Sequence, residues 1–127
     1  MGYSITSETM KSILTKAVSI LELFIAKVDL TTWYTVYAKT IDLSEIDYLI
    51  ISFYIEATAP SRAYVEFFHN GTSLYSTDVG TSGYDYQKIT LSAGTTKERG
   101  QFVVKMKTSG AGDSAYVRDL AVYSSEA

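Results

Sequence analysis

The sequence predicts a mainly β protein: an antiparallel β-sandwich preceded by one long amphipathic α-helix. Two observations predict the sandwich. Short segments alternate apolar and polar residues, and turn-forming residues separate these segments at short intervals. No helical pattern lies between the segments, which argues against a parallel sheet with crossover helices. The helix is predicted by a third observation, the regular spacing of apolar residues before residue 30.

Residues 1–30 carry the pattern of an amphipathic helix. Thr6 or Ser7 is a suitable N-cap, and no Gly or Pro interrupts the chain from there to about Val28. Apolar residues recur at spacings of three and four, with Ile25 beside the stripe, and they cover an arc of ~160° on the helix. An arc this wide suits packing on the protein's own sheet or on neighbouring subunits. As a subunit interface, its residues are Met10, Ile13, Leu14, Ala17, Ile20, Leu21, Phe24 and Val28.

Residues 31–127 carry strand patterns, and the longest of them covers residues 48–56. Leu49, Ile51, Phe53 and Ile55 form a wholly apolar face there, which requires neighbouring strands and a second layer to cover it. Asn70-Gly71 marks a tight hairpin. About seven or eight strands follow from these patterns, which indicates a sandwich. The clearest strand segments are residues 33–39, 48–56, 63–68, 73–77, 86–91, 101–108 and 115–123, and a loop is predicted over residues 78–85.

Composition narrows the function classes. The chain has 127 residues, one domain's worth, and a formal net charge of −3, which argues against general binding to nucleic acid or to an anionic membrane. Without cysteine it has neither disulfides nor thiolate metal sites. No segment has the pattern of a transmembrane helix or a convincing signal peptide.

Three segments resemble the jelly-roll sandwiches of the galactose-binding-like and carbohydrate-binding-module type. They are Ile41-Asp42-Leu43-Ser44, the hairpin over residues 63–75, and the closing segment over residues 115–123. Similar sandwiches occur in structural proteins of phages and archaeal viruses, and a helix in front of a compact β domain resembles short fibre subunits that trimerise through helices. The resemblance implies binding or assembly, but a shared fold does not fix function.

Catalytic residues are not evident in the sequence. His69 is the single histidine, and its place beside Asn70-Gly71 predicts a solvated turn residue. Glu56 and Glu66, on strands predicted to be adjacent, are the one carboxylate pair that would suit glycoside hydrolysis, and two solvated side chains are the simpler interpretation. We therefore predict a protein that is not an enzyme and has no cofactor.

Two sets of residues are candidates for ligand binding. Aromatic rings offer apolar faces on which sugars stack, and core packing is the competing interpretation of the same rings. The predicted platform consists of Trp33, Tyr34, Tyr37, Tyr84 and Tyr86. The resembling carbohydrate-binding sandwiches often hold calcium through loop oxygens, which makes Asp78, Asp85 and Asp113 weak calcium candidates although no metal site is predicted outright.

The leading functional prediction is a structural or assembly protein, virus-encoded, that forms homo-oligomers with trimers favoured. Its location would be the virion or the host cytoplasm. The alternative prediction is a carbohydrate-binding module that binds a glycan through exposed aromatic rings. The observation that motivates the first is the wide apolar face ahead of a tyrosine-rich domain with 11 tyrosines.

Overall fold

The structure, a computed structural model, describes residues 18–91 and 97–125. Within these ranges the chain forms eight β-strands and no helix. None of the described residues therefore forms a helix long and apolar enough to cross a membrane. The strands are β1 (Val18–Val28), β2 (Tyr34–Asp42), β3 (Tyr48–Ala57), β4 (Ala63–His69), β5 (Thr72–Val79), β6 (Ser82–Thr90), β7 (Arg99–Thr108) and β8 (Ala115–Ser125).

The eight strands form two four-stranded antiparallel sheets. Sheet I has the strand order β1-β8-β3-β6, and sheet II has the order β2-β7-β4-β5. The chain passes from one sheet to the other at most connections, and this order is that of a jelly roll. The predicted β-sandwich is therefore confirmed.

The core lies between the sheets and follows the predicted alternation. Leu49, Ile51, Phe53 and Ile55 of β3 are at most 1% exposed. In β7, Phe102, Val104 and Met106 are fully buried, and they pair with the inward residues of β4 in the same sheet. Ring contacts join the two layers, as between Phe53 and Phe67, whose centroids lie 5.6 Å apart. The alternation of period two is thus the feature that builds the core.

The predicted helix is wrong over residues 18–28, which form the edge strand β1. Leu21, Phe24 and Val28 do share one face, because they pair with Val122, Leu120 and Ala115 on the inward side of β8. The spacing of three between Leu21 and Phe24 comes from a bulge that adds a residue to β1, whereas the spacing of four between Phe24 and Val28 is two regular steps of two. A bulged strand therefore reproduces the spacing of a helix. The rest of the predicted helix, residues 1–17, lies outside the described residues.

Two further predictions about local structure are wrong. Residues 82–85, predicted as part of a loop, form the first half of β6 despite Gly83. His69 is fully buried, because it continues the inward row of Ala63, Val65 and Phe67 in β4. Its Nε2 donates a hydrogen bond to the carbonyl oxygen of Glu98 at 2.8 Å, and its Nδ1 has no hydrogen-bond partner among the described residues.

The hairpin prediction is confirmed. Asn70 and Gly71 connect β4 to β5 with φ values of 50° and 83°, the left-handed conformations that a two-residue hairpin of this kind requires. The hairpin is tied to the end of β7, since the backbone N–H of Asn70 donates to the carbonyl oxygen of Gln101 at 2.9 Å.

Candidate functional site: a tyrosine face on sheet I

The outward surface of sheet I carries a group of tyrosines that we call the tyrosine face. Register places the outward residues of β3 opposite outward residues of β6 on one side and of β8 on the other. Tyr84 and Tyr86 on β6 are 74% and 63% exposed, the most open members of the group. The tyrosine face comprises six of the 11 tyrosines: Tyr48, Tyr54, Tyr84, Tyr86, Tyr116 and Tyr123.

Small side chains occupy the middle of the tyrosine face. Ser52 of β3 lies opposite Tyr86 on β6 and opposite Ala121 on β8. Along β3 the outward neighbours of Ser52 are Ile50 and Tyr54, since side chains two residues apart on a strand share a face. The small pair therefore lies among larger side chains.

Two cations contact rings of the tyrosine face. The guanidinium of Arg118 lies 4.2 Å from the ring centroid of Tyr54, and the rings of Tyr54 and Tyr84 meet edge to face at 5.0 Å. A hydrogen bond to Tyr84 raises the pKa of Arg118, so the cation is retained at all ordinary pH values. Lys88 lies 4.1 Å from the ring centroid of Tyr48. Cation–π contacts of this kind restrict the rings and give the surface a defined shape.

Strand β1 hydrogen-bonds one tyrosine of the face and exposes two apolar side chains of its own. The hydroxyl of Tyr123 donates to Glu22 at 2.7 Å, and this hydrogen bond raises the pKa of Tyr123. Leu23 and Ile25 of β1 are 77% and 61% exposed. At the other end of the sheet, an open depression of about 540 Å³ is lined by Tyr116 and five neighbours: Lys27, Glu56, Ala57, Thr58 and Ser114.

The five aromatic residues predicted as one platform lie at four places. Tyr84 and Tyr86 belong to the tyrosine face. Tyr37 packs between the sheets against Phe24 and Phe102, and burial raises its pKa. Tyr34 lines a separate depression of about 340 Å³ together with Lys27, Val28, Asp29 and Leu30.

The fifth residue, Trp33, lies on the outward side of sheet II. Its ring meets that of Tyr64 edge to face at 6.3 Å, and the ammonium of Lys107 lies 4.7 Å from its centroid. The rest of this side mixes charged and apolar residues, because Glu66 lies opposite Lys105 and Phe68 lies opposite Val103 on β4 and β7. The two outward surfaces therefore differ in their number of tyrosines, although both have cation–π contacts.

Each calcium candidate is bound to a different protein group. Asp78 pairs with Arg62 at 2.5 Å, and Asp113 accepts a hydrogen bond from Ser61 at 2.5 Å. Asp85 faces inward and accepts a hydrogen bond from the Tyr75 hydroxyl, also at 2.5 Å. In residues 18–91 and 97–125, no three His, Cys, Asp or Glu side chains lie close enough to hold a metal ion.

The carboxylates considered for glycoside hydrolysis do not face each other. Glu56 is outward on sheet I, whereas Glu66 is outward on sheet II and accepts a hydrogen bond from Ser73 at 2.6 Å. The sandwich core therefore separates them. A hydrolytic pair needs both carboxyl groups on opposite sides of one bond, which this placement rules out for Glu56 and Glu66.

The residues predicted as a subunit interface are divided between two regions. Met10, Ile13, Leu14 and Ala17 lie outside the described residues, and their role stays a prediction. Val28 is 3% exposed in the core, and its neighbours on β1 pack partly against that core. These neighbours are Ile20, Leu21 and Phe24.

Sequence reasoning missed four of the six tyrosines in the face. Tyr48 and Tyr54 could have been found, because they share the outward side of the most regular strand. Tyr116 and Tyr123 could not be assigned to one side, since the bulge at Asp119, whose φ is 54°, shifts the parity between them.

No family model and no curated protein matches the chain. Solved structures do share its fold. A structure described as "CBM4 structure and function" gives a TM-score of 0.54 at 14% identity, over 85% of this chain and 77% of that chain. The resemblance to jelly-roll sandwiches is confirmed.

Virus particles provide further structural neighbours. A chain of infectious bursal disease virus, Gt strain, gives a TM-score of 0.55 at 13% identity, over 87% of this chain. The VP2 subviral particle of infectious bursal disease virus gives a TM-score of 0.51 at 13% identity, also over 87% of this chain. This chain covers only 31% and 32% of those viral chains. At such identities the likeness shows the fold alone.

Proposed function

We propose that this protein is a non-enzymatic structural protein that assembles with copies of itself, as a subunit of a virion or fibre does. The observation that carries the proposal is the tyrosine face. Tyrosine and arginine are enriched at the centres of protein interfaces and provide most binding hot spots. Six tyrosines with Arg118 among them form such a surface. The fold accommodates this role, since chains of infectious bursal disease virus share it.

The cations on the tyrosine face favour assembly over sugar stacking. Arg118 and Lys88 lie over the rings of Tyr54 and Tyr48, so part of each ring's surface is already in contact with the protein. A sugar that stacked on those ring faces would have to displace a cation. A protein partner can instead cover ring and cation together, which is the usual composition of an interface core.

The test of this proposal is the solution mass of the full chain, measured by light scattering behind a sizing column. We expect an oligomer that dissociates when Tyr84→Ser and Tyr86→Ser are combined. Tyr64→Ser, on the outward side of sheet II, is the matched control and should keep the oligomer. A monodisperse monomer at high protein concentration would contradict the proposal.

A carbohydrate-binding module is the second candidate. Tyr84 and Tyr86 expose most of their surface, and Tyr116 borders the open depression at the end of the face. Titration with a panel of β-linked oligosaccharides, followed by tyrosine fluorescence, separates the two candidates. Glycan binding that Tyr84→Ala and Tyr116→Ala weaken at least tenfold would favour the module, and absence of binding across the panel would remove it.

A further inference from the structure

The four edge strands of the sandwich differ in regularity. In residues 18–91 and 97–125, β1, β2 and β5 each carry an extra residue at a bulge, seen as a register shift against the neighbouring strand. Strand β6 has none: nine consecutive residues, Ser82–Thr90, pair with β3 without a shift. Bulges are one of the devices that keep an exposed edge from pairing with another chain. The β6 edge has no bulge among the described residues, and its charged residues are limited to Asp85 and Lys88.

The free side of β6 presents backbone groups that no described strand pairs, and among them the N–H of Tyr86 donates to the carboxylate of Asp85 at 2.8 Å. In an antiparallel ladder, every second residue directs its N–H and C=O away from the neighbouring strand. Strand β6 pairs only with β3 among the described strands, so these groups form a template for one more strand. The exposed Tyr84, Tyr86 and Lys88 stand along the same strand on the outward side.

We propose that β6 pairs antiparallel with β6 of a second copy, about a two-fold axis at Tyr86. This joins two copies of sheet I into one eight-stranded sheet. The inference rests on the proposed function, because it requires the chain to assemble with itself. It also places both tyrosine faces on the same side of the joined sheet.

Side-chain parity restricts the register. Directly opposite residues of an antiparallel pair project to the same side of the sheet. A two-fold axis perpendicular to the sheet keeps outward residues outward, so one residue must lie opposite its own copy. An axis at Tyr86 overlaps the whole of Ser82–Thr90 with itself, whereas an axis at Asp85 would place two carboxylates opposite each other.

The side chains of β6 are complementary in this register. Tyr84 lies opposite Lys88 of the second copy, which allows a cation–π contact on the outward side. Asp85 lies opposite Gln87 of the second copy on the inward side, where the Gln87 amide of each chain already donates to its own Asp85 at 3.0 Å. Tyr86 lies opposite its own copy as an aromatic pair. Lys88 therefore meets a ring, and no like charges are opposed in this register.

Cysteine cross-linking tests this register, because the natural chain contains no cysteine. Tyr86→Cys places two thiols opposite each other, with Cα atoms about 4.5–5.5 Å apart, which suits a disulfide. We expect Tyr86→Cys to form a covalent dimer under mild oxidation. In Tyr84→Cys the two copies are offset by four residues, roughly 13 Å, which is beyond disulfide reach. That variant alone should remain uncross-linked.

A mixture of two single variants gives an independent test. Tyr84→Cys and Lys88→Cys should cross-link to each other when mixed, and neither should cross-link alone. Both side chains are exposed, so this pair still tests the register if Tyr86→Cys does not fold. An unfolding midpoint equal to that of the natural chain shows that each variant is folded.

The outcomes separate this inference from the proposed function. Cross-linking at Tyr86 and in the mixed pair, with none in the single controls, supports β6 pairing. If light scattering shows an oligomer but neither the Tyr86 variant nor the mixture cross-links, the β6 inference is wrong and the assembly proposal stands. Equal cross-linking of Tyr84→Cys alone would mean random collision and would also overturn the inference. A natural chain that is monomeric at every concentration contradicts both.

Discussion

Strands β1 and β6 are the two edges of the same sheet, and they are built in opposite ways. Strand β1 is interrupted by register shifts, and Leu23 within it adopts a φ of 52°. Strand β6 pairs with β3 over nine residues without a shift. Both strands expose large apolar or aromatic side chains, but only β6 combines them with a regular edge. The bulges in β1 therefore hinder its free edge from pairing with another chain, whereas the regular free edge of β6 can still pair.

The same difference explains why one edge was mistaken for a helix. The two strands each place alternate residues inward where they are regular. In β1 a bulge sets Leu21 and Phe24 three residues apart, and regular alternation sets Phe24 and Val28 four apart; a helix also produces this mixed spacing. The lesson is that apolar spacings of three and four in a β-rich chain are compatible with a bulged edge strand.

The largest effect is expected where the strand and helix interpretations of β1 disagree most. Val28→Asp places a carboxylate at a site 3% exposed, so it should lower the free energy of unfolding by at least about 4 kcal/mol. Ile25→Asp, at a site 61% exposed, should cost less than about 1 kcal/mol. Urea unfolding of both variants measures this. On a helix the two residues would share the apolar arc, and similar costs would contradict the strand.

An intermediate effect on stability is expected from the contacts that attach the edge strands β1 and β6 to sheet II. Strand β1 contacts it through the rings of Phe24 and Tyr37, whereas β6 contacts it through the hydrogen bond from Tyr75 to Asp85. Because that acceptor is charged, Tyr75→Phe should lower the free energy of unfolding by about 1–2 kcal/mol at neutral pH. A change below the error of urea unfolding would show that the polar link does not stabilise β6.

The stability that the Tyr75–Asp85 hydrogen bond contributes should depend on pH. Burial, followed by the hydrogen bond to Asp85, raises the pKa of Tyr75, and burial raises that of Tyr37. The folded protein therefore holds these protons more tightly than the unfolded chain, whose tyrosines ionise near pH ~10. Stability should be retained below that pH and fall as the pH rises above it. Tyr75→Phe should make the fall shallower, and an unchanged slope would contradict this assignment.

The smallest effect tests the backbone of the two edges directly. Leu23→Gly should raise the free energy of unfolding by up to about 1 kcal/mol, because glycine adopts positive φ without strain. Tyr86→Gly, in regular β6, should lower it by about 1 kcal/mol or more. Thermal unfolding at a protein concentration low enough to avoid association compares them. The same sign for both substitutions would mean that β1 and β6 do not differ in backbone strain.

Sequence reasoning succeeded where the period of two is uninterrupted. Strands β3, β4 and β7 and the Asn70-Gly71 hairpin follow from alternation and turn chemistry alone. It failed at positions where another signal outweighed alternation. The Asn70-Gly71 signal predicts a turn position for His69, although the inward row of β4 includes it, and Gly83 predicts a loop, although it lies in β6.

The candidate site could be predicted only in part. Tyr84 and Tyr86 were singled out, but the surface to which they belong depends on strand order, which a single sequence does not encode locally. Bringing Tyr116 and Tyr123 to the same face requires β8 to lie beside β3 and to bulge at Asp119. The membership of the tyrosine face therefore depends on long-range strand pairing and on a local bulge, neither of which can be predicted from the sequence pattern.

Backbone amide hydrogen exchange at several protein concentrations tests most directly whether β6 is the open edge and β1 the closed one. The account predicts that the amides on the free side of β6, apart from that of Tyr86, which already donates to Asp85, exchange rapidly in dilute protein and become protected as concentration rises, while those of β1 do not change. Protection that grows at β1 and not at β6, or at neither strand while the oligomer forms, would contradict it.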